Sequence, residues 1–529
     1  MLDLVQLLRA YIYSALSAVP GYKALLVDKD TMRMCSMLLG RSELADRDVV
    51  HVEQLDHPTS SKKSHQELKA IILLRPTRDN ITILKRELKA PRYQQSNVYF
   101  TNLLSPIHLQ EVAEADALRE HIQGVHEVYG DVCAVSGHHF FIPVTRNNLL
   151  ISNQSTLTTT EFEAVDRCVQ GLSALLLAMR GRPVVRYQRG STAAYELARS
   201  LYTLVYKQHQ QTFDFGNRSS PALIILDRKD DPVTPLLNQW TYEAMIHELL
   251  GIHDKTTKLQ SSSVPEDMRE MVLDAGTDDF FAKHAYLTFG EVGISVKALM
   301  EQYQSREAQH RQVESLEDMR RFVTEHMDFT NLQSNVTKHV NLMSNLSDIA
   351  GKRRLLELSE IEQDLASPAT NVSAAGALDE VMRMCRQPDI LDKDKVRLAL
   401  LYALRFEHDA SRVQRLIDCL EVAGVKSRDP TLFGLVPRML AYAGSSKRVG
   451  DLYASRSIMN KAKTMIKGLK GADNVFTQHT PLLAATLSNF LMGQLDIQGY
   501  PFIGMSQVGF CRKFSVHGVC TVSVLCPDA

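Results

Sequence analysis

The stretch of sequence that decides the fold runs from 222 to 251 and reads ALIILDRKDDPVTPLLNQWTYEAMIHELLG. Its first five residues, 222–226, are apolar and predict a buried strand. A charged turn follows, and Thr234-Pro235 is typical of the N-cap and the first residue of a helix. The sequence therefore predicts a strand, a polar turn and a capped helix that begins near Thr234.

The charged turn carries Asp227, Arg228 and Asp231. An arginine beside two carboxylates can take part in catalysis, or it can hold one chain segment against another through bidentate hydrogen bonds. No nucleophile, metal-ligand pattern or general base lies nearby in the sequence. We therefore interpret the turn as a structural lock at a domain junction.

On the N-terminal side of this stretch, apolar runs alternate with helical patterns from residue 22 to about 145. This alternation predicts a parallel sheet covered by helices on both faces. The runs lie at 24–27, 49–52, 70–74 and 98–100, and helical patterns lie at 77–88 and 106–123. On the C-terminal side, residues 234 to about 470 are mainly helical in pattern, with apolar stripes at 332–346 and 358–365 that predict a helical hairpin.

Composition limits the classes of function. The chain has 529 residues, which predicts about three domains. Its formal net charge is −1, so no general attraction to nucleic acid or anionic membrane follows. The N-terminus is a poor signal peptide, and the longest uncharged apolar stretch, near 171–179, is about half a membrane span. We expect a cytoplasmic protein that binds neither nucleic acid nor a metal ion.

The common enzymatic motifs are missing from the sequence. There is no GxxxxGK[ST], no GxGxxG after a strand and no GxSxG. His247-Glu248 begins like a zinc-protease helix, but Gly251 stands where the second histidine is needed. We expect no cofactor. A nucleotide- or substrate-binding α/β enzyme stays open as an alternative, as does a helical scaffold.

A basic stretch between 61 and 92 contains nine lysines and arginines against three acidic residues. Its most economical interpretation is a solvated helix face, and a surface for an anionic headgroup or an acidic partner is the alternative. The basic residues are Lys62, Lys63, Lys69, Arg75, Arg78, Lys85, Arg86, Lys89 and Arg92.

Residues 222–251 closely resemble the signature of the SM (Sec/Munc-like) family of SNARE-binding vesicle-fusion regulators. The signature is a Leu-Asp-Arg, an Asp after two variable residues, a Thr/Ser-Pro-Leu-Leu and a Tyr-Gln-Ala-Met helix. Leu226-Asp227-Arg228, Asp231, Thr234-Pro235-Leu236-Leu237 and Tyr242 match it, and Glu243 replaces the usual Gln. The segments YKALLVDKDTMRM, KAIILLRPTRDN, LYALRFE and FTQHTPLL extend the resemblance to about residues 1–507. It is nearest to the vacuolar protein-sorting branch of the forty-five type.

The resemblance implies an α/β multidomain fold, an arch of three domains with two parallel-sheet α/β domains and one mainly helical domain. Domain 1 would cover 1–128, and domain 2 would begin at 129–232. Domain 3, the helical one, would cover 233–470. Domain 2 would then be completed by 471–529.

The resemblance also implies a pocket on domain 1 for the N-terminal peptide of a syntaxin-type SNARE. The pocket positions would be Leu104, Ile107 and Leu109 and, from a following helix, Ile122, Val125 and Glu127. An apolar pocket with one acidic residue at its rim suits a short peptide with an apolar anchor and a basic residue. The plainer interpretation is that the apolar members are helix–sheet core.

Two further contacts are implied. Arg33 and Glu53 match family positions that pair with the helical part of a syntaxin in a cavity, and 331–365 matches the platform for a vesicle SNARE. The family binds SNARE complexes and regulates docking and fusion in trans-Golgi and endosomal transport. Membrane association would then be peripheral, through the SNAREs, at Golgi and endosomal membranes.

The C-terminal tail departs from the family pattern. After about 507 the chain runs VGFCRKFSVHGVCTVSVLCPDA, which holds Cys511, Cys520 and Cys526 and matches nothing in the family. Alternation at 519–525 predicts one short strand. We expect domain 2 to be incomplete after about 507, with an uncovered sheet edge.

Overall fold

The computed structural model describes residues 3–57, 64–117, 120–144, 157–216, 218, 220–260, 266, 269–310, 316–367, 372–448, 452–453, 479–504 and 521–522. The cysteines Cys511, Cys520 and Cys526 lie outside these ranges.

The chain divides into two compact units. Unit 1 comprises Met1–Asp227 and Asp496–Ala529, and unit 2 comprises Arg228–Leu495. The chain passes from one to the other inside the charged turn, close to the predicted boundary at 232/233. The first two predicted domains lie together in unit 1, because one apolar core runs from Leu4 to Ile225 through both of them. Their separation at 128/129 stays a prediction.

Unit 1 is built on strands that are short and mostly apolar, whereas unit 2 contains only two three-residue strands among its described residues. In chain order the strands are β1 (Lys23–Val27), β2 (Val49–Gln54), β3 (Lys69–Leu74), β4 (Ser96–Phe100), β5 (Ile122–Glu127), β6 (Cys133–Ser136), β7 (His139–Phe141), β8 (Val184–Tyr187), β9 (Ala222–Ile225), β10 (Thr256–Lys258), β11 (Glu270–Val272) and β12 (Thr521–Val522).

The helices occupy both units. In chain order they are α1 (Leu4–Ser17), α2 (Lys29–Leu38), α3 (Arg41–Ala45), α4 (Arg78–Lys89), α5 (Pro106–Asp116), α6 (Thr159–Ala178), α7 (Thr192–Thr203), α8 (Tyr242–Leu249), α9 (Asp279–His284), α10 (Phe289–His310), α11 (Leu316–Lys352), α12 (Leu355–Ala366), α13 (Ala374–Cys385), α14 (Asp392–Arg405), α15 (Ala410–Val422), α16 (Val425–Arg428), α17 (Pro430–Phe433), α18 (Leu435–Ala443) and α19 (Leu482–Leu491).

The main sheet of unit 1 has five parallel strands in the order β2-β1-β3-β4-β5. Successive residues of β1 enter different cores: Leu25 packs in the core that contains α1 and α6, and Leu26 packs under α4 and α5. A sheet buried on both faces needs apolar residues at every position of its central strands, which explains the continuous apolar runs. The predicted parallel sheet is therefore confirmed.

The remaining strands of unit 1 form smaller sheets. Strands β6 and β7 pair antiparallel, and the two residues of β12 add parallel to β7. Strands β8 and β9 pair parallel, so residues 222–225 of the apolar run form a strand as predicted. Its predicted burial is wrong for most of the run, because only Ile225 is buried and Leu226 is 37% exposed.

Unit 2 is mainly helical, as predicted. The two predicted apolar stripes lie on α11 and α12, which Arg354 separates with a positive φ of 53°. Helix α11 packs more extensively against α10 than against α12, so a hairpin of 331–365 stays a prediction. Leu346 and Leu358 face the helical core and are fully buried. Helix α19, which we assigned to the second domain, lies in unit 2.

One predicted helix is wrong at its end. The pattern at 106–123 predicted a single helix, but α5 ends at Asp116 and Ile122 begins β5. Both oxygens of the Asp116 carboxylate accept backbone N–H groups, from His121 at 2.9 Å and from Ile122 at 3.0 Å. These bonds hold the chain in a turn that leads into the edge strand.

The carboxyl ends of the strands in unit 1 are tied by a buried ionic cluster. Asp131 is 5% exposed and lies 2.9 Å from Arg75 Nε and 3.0 Å from Arg167 Nη2. Arg75 follows β3, Arg167 lies on α6, and Asp131 follows β5, so one carboxylate joins three segments. Burial raises the pKa of Asp131, and the two guanidinium groups oppose that shift.

Without this carboxylate, two buried guanidinium groups lose the negative charge that pairs with them. We predict that Asp131→Ala lowers the free energy of unfolding by about 3–5 kcal/mol. The matched control is Glu421→Gln, which breaks an ion pair with Lys426 that is half exposed, and we expect a loss below about 1 kcal/mol. Scanning calorimetry compares the two, and equal losses would contradict the role of Asp131.

Candidate functional site

The charged turn is organised by Asp231, not by its arginine. The side chain of Arg228 is 45% exposed, and its Nη1 lies 3.7 Å from the carboxylate of Asp231. Asp231 is buried and accepts the N–H of Thr234 at 3.1 Å, the hydroxyl of Thr234 at 2.7 Å and the N–H of Leu482 at 3.1 Å. The predicted bidentate arginine lock is therefore wrong, because a local three-residue spacing leaves Arg228 at the surface while two backbone N–H groups and the Thr234 hydroxyl satisfy the carboxylate of Asp231.

The hydrogen bonds of Asp227 lie within unit 1. Its carboxylate accepts the hydroxyl of Ser191 at 2.5 Å, and its N–H donates to Oε1 of Gln188 at 2.7 Å. Ser191 is also the N-cap of α7. The two carboxylates of the signature thus anchor the chain separately in unit 1 and in unit 2.

Thr234 and Pro235 do not start a helix. They form one 3-10 turn, Thr234–Leu236, and α8 begins only at Tyr242. Asn238 explains the interruption, because its backbone N–H and its side-chain amide both donate to Glu362, at 2.8 and 2.7 Å. A distant helix thereby takes the donor that an α-helix would have used.

The partner of Asn238 is a carboxylate in an unusual environment. Burial raises the pKa of Glu362 to about 7, and the bonds from Asn238 and the charge of Arg397 oppose the shift. Trp240, the only tryptophan of the chain, donates its Nε1–H to Ser359 on the same helix at 3.0 Å. Helix α12 is therefore bonded to the signature at two points one turn apart.

Tyr242 leads into a second buried group of polar side chains. Its hydroxyl donates to Nδ1 of His339 at 2.9 Å, and Nε2 of His339 lies 3.1 Å from Asp278. Asp278 also pairs with Lys338 and accepts the N–H of Phe281 at 2.8 Å. Burial alone would raise the pKa of Asp278, but the donors from His339, Lys338 and Phe281 hold it well below its usual range.

The predicted peptide pocket falls at the edge of the main sheet. Ile122, Val125 and Glu127 lie on the edge strand β5, so their predicted helix is wrong, for the reason given above. Leu104, Ile122 and Val125 are partly buried beside the core under α4 and α5. Their apolar surface is therefore shared between that core and the solvent.

Two members of the pocket are more exposed. Ile107 is 71% exposed and Leu109 is 46% exposed, both in the first turns of α5. Residues two apart on a helix lie about 200° apart around its axis. Ile107 and Leu109 therefore occupy different sides of α5.

Glu127 is engaged within the pocket itself. One carboxylate oxygen accepts the N–H of Leu104 at 2.7 Å, and the other accepts the hydroxyl of Tyr129 at 3.0 Å. The carboxylate thereby holds the segment before α5 against the end of β5. The sequence analysis did not identify Tyr129. Its position two residues after the rim carboxylate Glu127 was the signal that could have predicted this hydrogen bond.

The two predicted cavity residues differ in exposure. Arg33 is partly exposed on α2, and its guanidinium lies 4.8 Å from the ring centre of Phe141. Glu53 is buried, with its carboxylate 2.8 Å from Arg92 and 3.0 Å from the hydroxyl of Tyr93. A direct ion pair between Glu53 and a partner does not fit this burial, because internal donors already occupy the carboxylate.

The described residues contain no group of three or more His, Cys, Asp or Glu side chains that could hold a metal ion. Within the same ranges, none of the helices combines the length and the apolar character needed to cross a bilayer.

Comparison with known proteins identifies the family. Residues 23–509 match the model of the Sec1 family. The vacuolar protein sorting-associated protein 45 homolog of Arabidopsis thaliana is 37% identical over 505 residues, 95% of this chain and 87% of the relative. Vacuolar protein sorting-associated protein 45 of Homo sapiens is 38% identical over 493 residues, 92% of this chain and 83% of the relative.

The chain belongs to the Sec1 family. Among solved structures, the SM protein Vps45 in complex with the Qa SNARE Tlg2 matches with a TM-score of 0.85 at 33% identity, over 95% of this chain and 88% of that one. The predicted family and its fold are confirmed by these matches. In this Sec1-family chain the signature spans the point at which the chain passes from unit 1 to unit 2.

The geometry of the turn gives a paired prediction. We expect Asp231→Ala to lower the free energy of unfolding of unit 2 by about 2–4 kcal/mol, since three donors lose their acceptor. Arg228→Ala should cost less than about 1 kcal/mol, because the arginine is half exposed. Trp240 fluorescence during urea unfolding reports unit 2 specifically. If Arg228→Ala lowered the free energy of unfolding more than Asp231→Ala does, the interpretation of the turn as an arginine lock would be correct after all.

Asp278 gives a prediction on pH. A carboxyl whose pKa is lower in the folded state stabilises the protein above its unfolded pKa of about 4, and this contribution is lost as the pH falls further. We expect Asp278→Asn to be less stable than the parent at pH 7. The difference should shrink below about pH 4, as followed by Trp240 fluorescence. A difference that is constant from pH 7 to pH 3 would contradict the assignment.

Proposed function

We propose that this Sec1-family chain binds a syntaxin-type (Qa) SNARE and SNARE complexes and thereby regulates vesicle docking and fusion. The observation that carries the proposal is its similarity, along nearly the whole chain, to a Vps45 protein solved in complex with a Qa SNARE. The names of its relatives support a place in vacuolar protein sorting, that is, in trans-Golgi and endosomal transport.

The exposed apolar surface at the edge of unit 1 is the proposed site for the N-terminal peptide of the SNARE. It comprises Leu104, Ile107, Leu109, Ile122 and Val125, which lie on both sides of α5 and along β5, and we call it the α5/β5 surface. Ile107 and Leu109 leave apolar area in water that a peptide can bury, at about 25 cal/mol per Å². The Glu127 bonds fix the α5/β5 surface before the partner arrives, which lowers the entropy cost of binding.

The other proposed contacts use residues of different exposure. Arg33, partly exposed on α2, is the proposed contact for a helical part of the SNARE, and Glu53 acts indirectly by holding Arg92 and Tyr93. In the platform predicted at 331–365, the fully buried Leu346 and Leu358 serve internal packing. A vesicle SNARE would therefore contact the outer residues of 331–365.

We further propose that the protein acts by binding and not by catalytic turnover, at the surface of Golgi and endosomal membranes, to which its SNARE partners attach it. The similarity to a Vps45 protein solved in complex with a Qa SNARE supports this mode of action. A SNARE-bound regulator needs no membrane anchor of its own.

The α5/β5 surface can be tested by a charge substitution. We predict that Leu109→Arg weakens the binding of a Qa-SNARE N-terminal peptide by about 2 kcal/mol or more, because a charge must be buried against apolar groups. The matched control is Ile294→Arg in unit 2, where an apolar side chain is 74% exposed, and it should leave the affinity unchanged. Isothermal calorimetry measures both.

Unchanged affinity of Leu109→Arg would contradict the site. If Ile294→Arg lost binding to the same degree, the effect of Leu109→Arg would be due to added positive charge in general and not to this site.

A further inference from the structure

The main sheet of unit 1 has two edges, and the α5/β5 surface lies at only one of them. The other edge is β2, which pairs with β1 on one side. Among the described residues, neither a strand nor an isolated β-bridge pairs with its outer side. An edge strand of this kind presents backbone N–H and C=O groups that can pair with another chain.

The register of β2 shows which of its backbone groups face outward. Leu55, just after the strand, donates its N–H to the carbonyl of Val27 on β1 at 2.8 Å. Because the backbone groups of successive residues in a strand point to opposite sides, those of Val52 and Gln54 point away from β1. The carbonyl of Gln54 accepts the N–H of His57 at 3.4 Å. Val52 therefore directs one donor and one acceptor outward, near the middle of the edge.

The side chains beside these backbone groups are apolar and exposed. Val50 is 57% exposed and Val52 is 40% exposed, whereas Val49 and Glu53 of the same strand are buried. Edge strands that face only water often carry charged residues, because these discourage pairing with another chain. Two exposed valines instead favour contact with the apolar side chains of an added strand, and the area that they bury contributes about 25 cal/mol per Å².

The chain around β2 is acidic. Residues 41–57 hold five acidic side chains against two arginines. Asp46 and Asp48 lie just before the strand and Asp56 lies just after it, and all three are exposed. Two copies of this edge, paired in either direction, would bring like charges together. A basic partner is therefore a better occupant than a second copy of the chain.

The excess of negative charge is at the N-terminal end of β2. Arg47 does not neutralise it freely, because its Nη1 already donates to a backbone carbonyl of α3 at 2.9 Å. Asp48 has the buried Lys23 beside it, with the Nζ 3.9 Å from its carboxylate. At the other end the exposed Lys29 donates its backbone N–H to Asp56 at 3.2 Å. Basic residues of a partner are therefore best placed at the N-terminal end of the strand.

We propose that β2 binds an extended segment of a partner protein by strand addition, and that this segment has apolar residues at alternate positions and basic residues beside Asp46 and Asp48. The backbone of Val52 supplies the pairing, the exposed valines supply apolar contact, and the aspartates select the charge. Strand β2 has six residues, or about 20 Å at roughly 3.3 Å per residue, so the apolar part of the segment has about five residues. This surface lies at the opposite edge of the sheet from the α5/β5 surface, and it goes beyond the proposed function by adding a second contact.

The test uses the full chain and fluorescein-labelled synthetic peptides, followed by fluorescence anisotropy. Two peptides share the core Val-Thr-Val-Thr-Val and carry three Lys or three Glu at each end, and a third peptide with Lys ends has Pro at the centre of the core. Near 50 mM salt we expect the Lys peptide to bind about tenfold more tightly than the Glu peptide, which the aspartates repel. The Pro peptide should bind about tenfold more weakly than the Lys peptide, because proline lacks the N–H that a ladder needs.

Two variants of the chain test the edge itself. Val52→Pro should weaken the Lys peptide by about tenfold, because it removes the outward N–H and keeps the N–H groups that face β1; circular dichroism checks that this variant folds. Val52→Lys should weaken the same peptide by about tenfold through charge repulsion, with the backbone intact. The matched control is Val422→Lys in unit 2, where the valine is 88% exposed, and it should leave the affinity unchanged.

The charge preference has its own variant. Asp46→Asn/Asp48→Asn should remove most of the preference for the Lys peptide over the Glu peptide. The matched control is Asp418→Asn/Glu421→Gln, which changes the net charge equally at exposed residues of unit 2 and should keep the preference.

Equal binding of the Lys peptides with the Val and the Pro core would overturn strand addition in favour of charge attraction alone. Failure of the Lys peptide to bind the unmodified chain would overturn the inference, and binding of the Qa-SNARE N-terminal peptide, measured in parallel, distinguishes this result from failure of the proposed function. A dimer in analytical ultracentrifugation that Val52→Pro and Val52→Lys both dissociate would overturn the inference in favour of a second copy of the chain.

Discussion

The buried polar groups between Asp231 and Tyr242 impose the constraint on which unit 2 depends. This segment is buried but has only one 3-10 turn before α8, so its donors and acceptors cannot be satisfied within a regular element. Their partners come from distant parts of the chain: Leu482, Glu362, Ser359 and His339. An irregular segment with obligatory distant partners fixes the helices that supply them.

In unit 1, buried carboxylates likewise depend on partners from other segments of the chain. The carboxyl ends of parallel strands bring polar turns to one edge of the sheet, where Asp28 accepts the N–H of Arg75 at 2.7 Å and the amide of Asn80 at 2.8 Å. Burial raises the pKa of Asp28 to about 6. Together with the Asp131 cluster, these bonds make the sheet a rigid support, and α5 and β5 can then present an exposed apolar surface without losing their geometry.

The central strands and most helices could be predicted because their signals are local. The run 70–74 is buried on both faces and reads as continuous apolar sequence, and Thr77 caps α4 at the predicted place. β5 could not be predicted, because IQGVHE has little apolar character and its strand conformation depends on pairing with β4. The false helix start at Thr234 has the same origin, since the competing bonds come from Glu362, more than a hundred residues away. In the candidate site, the resemblance supplied the pocket positions, but the burial of Glu53 and the internal bonds of Glu127 depend on Arg92, Tyr93 and Tyr129, which no motif marks.

The central claim is that a SNARE partner binds this Sec1-family chain at the edge formed by α5 and β5. Hydrogen–deuterium exchange followed by mass spectrometry tests it most directly, with the full chain alone and with the cytosolic part of a Qa SNARE. We predict slower exchange on binding in peptides that cover 104–127, with the peptides of β1 and β3 unchanged, because those strands are already buried. Binding that leaves the exchange of 104–127 unaltered would contradict the claim.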